Sequence, residues 1–146
     1  MRVFLDTNIL LDLLLEREGY EGCAQLFQLQ EEGLCTLAVS VLTMVNVAYV
    51  YRKTVGQDMA VVNLKYLSSM LEILPMDSQM LQASIYKHGK DFEDVFQAVC
   101  AAVGNCDCIV TRDEKDFVVR DGLMNSQIII PQVFTPASFL LTFHNG

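Results

Sequence analysis

Short apolar runs that stop at a polar residue recur along this 146-residue chain, and longer stretches between them return their apolar residues at helical intervals. Residues 2–5 end at Asp6 and residues 35–39 at Ser40, while residues 72–75 and 108–111 read as two further short strands. Between them lie periodic sets such as Ile9, Leu10, Leu13 and Leu14, or Phe92, Val95, Phe96, Val99 and Val103. Connections of this length cannot be hairpins, so the strands run parallel and both faces of the sheet must be covered. The expected fold class is therefore α/β, a three-layer α/β/α arrangement with a central parallel sheet.

Boundaries follow from the same reading. Ser40 is a good N-cap for a helix through Lys53, and a second helix around Cys23 to Leu29 ends near Gly33. Asp77 caps a helix that frays near Gly89. Residues 128–130 and 133–134 offer further extended segments, and Pro136 opens a last helix through Phe143. No repeat, linker or charge block divides the chain, so residues 1–146 are expected to form one domain.

A hydrophobic fraction of 52% would suit a membrane protein. The longest candidate span, residues 34–51, is interrupted by Ser40, Thr43 and Asn46, and Asp6, Asn8 and Asp12 come too early for a signal peptide. The expectation is a cytoplasmic protein with no membrane partner. Cys23, Cys35, Cys100, Cys106 and Cys108 make an odd count within largely apolar stretches, which points to reduced thiols. Cys106-x-Cys108 lacks the second pair or histidine that a zinc site needs.

The net charge of −8 excludes a broad basic face for nucleic acid, so any such contact is local. Acidity has a second consequence. Carboxylates crowded into one cleft repel by ~4 kcal/mol per close pair at an effective dielectric of 20, unless cations intervene.

In an open parallel sheet, functional groups gather at the carboxyl ends of the strands. Asp6, then Ser40 and Thr43, then Thr111 and Asp113 all fall at that edge. Asp94 falls in the first turn of a helix, where the positive end of the dipole favours a carboxylate, and if that helix begins at or before Asp91 the i, i+3 spacing puts both carboxylates on one side. Capping is the ordinary use of such acids; the wider constellation favours metal. Oxygen donors suit Mg²⁺ or Mn²⁺, and phosphodiester hydrolysis is the natural reaction for such a site.

Four segments taken together carry a resemblance: Asp6-Thr-Asn8 after the first strand, Ser40-Val-Leu-Thr43 opening a helix, Asp91-Phe-Glu-Asp94 with Ala98, and Thr111-Arg-Asp113 with Asp116-Phe117. In this order they resemble the PIN-domain family, and the likeness extends to Thr135-Pro136-Ala-Ser-Phe139. It implies a metal-dependent ribonuclease acting on single-stranded RNA, of the type found as the toxin of a toxin-antitoxin pair. An antitoxin protein and a homodimer are the partners it implies.

Carried over by motif, the first, third and fourth family acids are Asp6, Asp94 and Asp113. Thr7 or Asn8 would orient Asp6, with Ser40, Thr43 and Thr111 supporting the site. The second acid departs: the family's Ser-x-x-Thr-x-x-Glu reads Ser40-x-x-Thr43-x-x-Asn46 here. An amide oxygen can still face a metal, but one negative charge is gone, and Asp91, Glu93 and Asp116 are the alternatives for restoring it.

Arg112, Lys115 and Arg17 are the candidates for RNA phosphates, with Arg52 and Lys53 behind them; surface ion pairs compete for the same residues. His88 and His144 lie outside the acidic set and are expected at the surface. Tyr49 and Tyr51, with Val45 and Val47, are candidates for a subunit or partner surface. Two other functions stay open. One is a PIN-like module binding RNA or an antitoxin without cleaving, which Asn46 favours. The other is a receiver-like phosphoacceptor, disfavoured because its acidic pair after the first strand is missing.

Overall fold

In a computed structural model that describes residues 1–115, 117–121 and 128–144, the elements follow in this order: Arg2–Leu5 (β1), Thr7–Leu14 (α1), Tyr20–Glu31 (α2), Thr36–Ser40 (β2), Val41–Val55 (α3), Gln57–Met70 (α4), Glu72–Leu74 (β3), Ser78–Ile85 (α5), Lys87–Gly89 (β4), Phe92–Val103 (α6), Cys108–Val110 (β5), Val119–Asp121 (β6), Gln132–Phe134 (β7) and Pro136–His144 (α7). Five strands form an all-parallel sheet in the order β3-β2-β1-β5-β7. The chain steps outward from β1 to β3 on one side, then returns to place β5 and β7 on the other. Strand order therefore reverses between β1 and β5, and the crevice at their carboxyl ends is where such sheets bind ligands.

Strand alternation sorts the core into two layers. Val3, Leu5, Leu37, Val39, Cys108 and Val110 point to one face and pack with Ile9, Leu10, Leu26, Val47, Leu67 and Phe139 from the helices. Phe4, Ala38 and Ile109 point to the other, against Ala98, Cys100 and Ala101 of α6. Small residues on α6 let it lie close to Phe4, whose burial contributes ~1.5–3 kcal/mol. This close approach fixes the acidic start of α6 relative to the sheet edge.

Two expectations need correction. The helix capped by Asp77 ends at Ile85, and residues 87–89 instead form β4, paired antiparallel with β6. The Lys87 side chain is buried there, its Nζ donating to the Ile128 carbonyl at 3.3 Å. Residues 128–130 join no ladder among the described residues: Ile129 is 87% exposed, and the strand begins only after Pro131, which has no amide hydrogen to donate.

Among the described residues, no helix is long and apolar enough to cross a membrane. All five cysteines are buried and free.

Candidate metal site at the carboxyl edge of the sheet

Asp6 sits where β1 turns into α1 and is 3% exposed. One carboxylate oxygen accepts from the Thr7 N–H at 2.8 Å, capping α1, and the other accepts from the Thr111 hydroxyl at 2.9 Å. Its backbone N–H donates to the Val110 carbonyl, so the residue is locked between the adjacent strands β1 and β5. Burial pushes its carboxyl up from 3.8 to about 6. The two hydrogen bonds and the charge of Arg112 oppose that rise, while the charge of Glu93 adds to it.

The second wall is the start of α6. Asp91 caps the helix, its Oδ1 accepting from the Glu93 N–H at 2.8 Å and the Asp94 N–H at 3.4 Å. Capping thus falls to Asp91, which was the competing role for Asp94. Asp91, Glu93 and Asp94 each offer a carboxylate oxygen within 4.8 Å of the others, the one such cluster among the described residues. Asp6 and Asp113 lie outside this tight group. Asp113 is exposed on the loop after β5, beside Arg112 and Lys115.

Behind the acids lies a buried polar network. Ser40, at the end of β2, accepts from the Thr43 N–H at 3.0 Å and donates its hydroxyl to Gln97 Oε1 at 2.5 Å. Gln97 Nε2 faces Thr43 Oγ1 at 2.9 Å, Thr7 Oγ1 at 3.4 Å and Glu93 Oε1 at 3.2 Å. Ser40, Thr43 and Gln97 are fully buried. The supporting roles expected of Ser40, Thr43 and Thr111 thus have partners, and Thr7 rather than Asn8 provides the backbone bond to Asp6. Asn8 is half-buried in the first turn of α1.

Asn46 also reaches this wall: its Nδ2 donates to Glu93 Oε1 at 3.2 Å. Asp91, Glu93 and Asp94 bring carboxylate oxygens together, a donor set that fits a hard divalent cation such as Mg²⁺ or Mn²⁺. Among the described residues no cysteine or histidine joins this cluster. Asp116 lies outside the described residues.

Two residues, Gln97 and Asp12, escaped sequence reading. Gln97 lies one helical turn from Glu93, and its importance depends on Ser40 and Thr43 from other elements. Asp12, 3% exposed on α1, is an ion-pair centre for two of the arginines considered for RNA: Arg112 lies at 2.9 Å and Arg17 at 3.5 Å. Both arginines are partly exposed, and the charge of Arg112 also reaches Asp6. The Asp12–Arg112 pair also borders a cavity of about 570 Å³ between α2 and α7.

On α3, Val45 and Tyr49 are exposed, as a partner surface requires, but Val47 belongs to the core. Arg52 and Lys53 hold their cations 4.9 and 4.5 Å from the Tyr49 ring. His88 and His144 are both exposed.

Residues 2–115 match the family model of the PIN domain. No curated protein matches the sequence significantly. Among solved structures, the chain is similar to a component of VapBC2 from Rickettsia felis bound to a DNA fragment from their promoter, with 17% identity, a TM-score of 0.65 and coverage of 92% of this chain and 98% of that one. A toxin-antitoxin complex from Klebsiella pneumoniae is similar at 23% identity and a TM-score of 0.61, covering 92% and 97%. VapBC-1 from nontypeable Haemophilus influenzae gives 16% identity and a TM-score of 0.65, covering 94% and 99%. At these identities the likeness concerns the fold.

Proposed function

The chain belongs to the PIN-domain family, whose members are typically metal-dependent nucleases, and on that footing we propose that it is a metal-dependent endoribonuclease for single-stranded RNA, acting as the toxin of a toxin-antitoxin pair. The observation that carries this reading is the buried Asp6, held by Thr7 and Thr111 at the strand-order reversal and within electrostatic reach of the acidic start of α6.

Asp6, Asp94 and Asp113 would hold one or two Mg²⁺ or Mn²⁺ ions, with Asp91 and Asp116 as the further candidate acids. When bound, such ions supply charge neutralisation at the scissile phosphate and make water a better nucleophile. The protein's own part is positioning. Thr111 and the Thr7 N–H aim Asp6, the first turn of α6 carries Asp94, and Arg112, Lys115 and Arg17 contact the RNA backbone next to the acids. Since the chain as a whole is acidic, these few cations make the RNA contact local and salt-sensitive.

The toxin assignment is supported by the Klebsiella pneumoniae complex, which is of toxin-antitoxin type. An antitoxin protein or a second copy of the chain would cover exposed apolar residues such as Val45 and Tyr49 on α3. A second reading, a PIN-fold module that binds RNA or an antitoxin without cleaving, is favoured by one observation: position 46 contributes an amide where the family pattern has an acid.

Induced expression in a bacterial host lacking a partner tests the toxin reading. Growth should stop with fragmentation of cellular RNA, and Asp94→Asn should abolish both effects. Equal arrest by the variant, or unbroken RNA in arrested cells, would count against nuclease action.

A further inference from the structure

We infer that Glu93 supplies the negative charge missing at position 46, so that the acid has moved from α3 to α6 while remaining in the same cleft. The inference rests on the reading that this edge holds a divalent cation, and it names a residue that the family pattern does not assign.

Its basis is the meeting of Asn46 and Glu93 across two helices, 47 residues apart in sequence, with Asn46 Nδ2 donating to Glu93 Oε1 at 3.2 Å. The side chain at position 46 therefore reaches the very carboxylate that would replace its own. A glutamate at position 46 beside Glu93 would set two anions against each other at this distance; an amide turns the contact into an attraction to a charged acceptor. Asn46 and Glu93 thus work as a pair, and neither residue type is arbitrary given the other.

Glu93 is also aimed from behind. Gln97, one turn further along α6, donates to the same Oε1 at 3.2 Å. Gln97 is fixed in turn by the Ser40 hydroxyl, which donates to its Oε1 at 2.5 Å, and by its contact with Thr43. Both amide donors converge on one oxygen of Glu93. Both contacts fall on Oε1, and the half-buried Glu93 carboxylate offers an oxygen within 4.8 Å of those of Asp91 and Asp94. Ser40, Thr43 and Gln97 are positioning residues in this arrangement, acting on the cation through Glu93.

The test measures Mn²⁺ binding by titration calorimetry to four proteins: the natural chain, Glu93→Gln, Asn46→Glu, and the double variant carrying both. Circular dichroism melts verify that each is folded. Wild type should bind Mn²⁺, and Glu93→Gln should lose about tenfold or more in affinity, the scale on which tuning groups at metal sites act. The double variant should recover most of that loss, because a carboxylate returns to the cleft from the α3 side. Unchanged affinity in Glu93→Gln would overturn the inference. So would a loss that the double variant does not repair, which would make Glu93 a structural residue only. Absence of Mn²⁺ binding by the wild-type protein would overturn the underlying metal reading as well, an outcome distinct from the other two.

Discussion

The Thr111 hydroxyl donates to Asp6 Oδ2 at 2.9 Å, joining the carboxyl ends of two adjacent strands whose residues are 105 positions apart in the chain. This bond serves a buried carboxylate, and bonds to charged groups are about twice as strong as neutral ones. Thr111→Val keeps the shape and removes the donor. It should cost about 1–3 kcal/mol at neutral pH, where Asp6 is ionised, and less in acid, where it is protonated. Urea unfolding at the two pH values measures the difference; an equal loss at both would show that the bond does not act through the Asp6 charge.

Burial raises the Asp6 carboxyl from 3.8 to about 6. The folded chain therefore holds this proton more tightly than the unfolded one. The resulting stabilisation is fully present below 3.8 and is lost as pH rises through about 6, a change of roughly 3 kcal/mol. In chelator, the wild-type protein should lose stability across that window relative to Asp6→Asn, whose amide does not titrate. Parallel stability curves for the two proteins would contradict the assignment. A divalent cation should reverse the trend, since it binds the ionised form and stabilises the fold by mass action.

The five cysteines make a separate prediction. Burial pushes the thiols of Cys23 and Cys100 up to about 11, those of Cys106 and Cys108 up to about 12, and also raises Cys35. Because the thiolate is the reactive species, iodoacetamide at neutral pH should leave all five unmodified in the folded protein and label all five in denaturant. Mass spectrometry counts the adducts. Rapid labelling of Cys106 or Cys108 without unfolding would show that these residues are more accessible than the packing of β5 and the α6–β5 loop allows.

Much of the architecture was legible because each strand ends at a residue with a different physical job. Asp6 and Ser40 end an extended segment and cap the following helix, so the sequence marks the carboxyl edge and the first acid on it together. The β4–β6 ladder was not legible. Lys87-His88-Gly89 has no apolar alternation, and its pairing partner lies some thirty residues away in the chain. Gln97 was hidden for a related reason: a lone polar residue in a periodic helix reads as tolerated until Ser40 and Thr43 are seen to meet it. Asp12 was masked by the leucines around it, and only the fold brings Arg112 to its side. Conversely, Val47 looked eligible for a surface beside Tyr49, yet it lies on the inward face of α3 and is 1% exposed.

The central claim is that the acidic edge cleaves RNA with the help of divalent ions. Its most direct test is cleavage of a fluorescent single-stranded RNA mixture by the purified protein in Mn²⁺ or Mg²⁺, with chelator and identically purified Asp94→Asn as controls against contaminating ribonuclease. Cleavage that disappears in both controls is the predicted result. Identical behaviour of wild type and Asp94→Asn on every substrate would contradict it and leave the non-cleaving PIN module as the account of this chain.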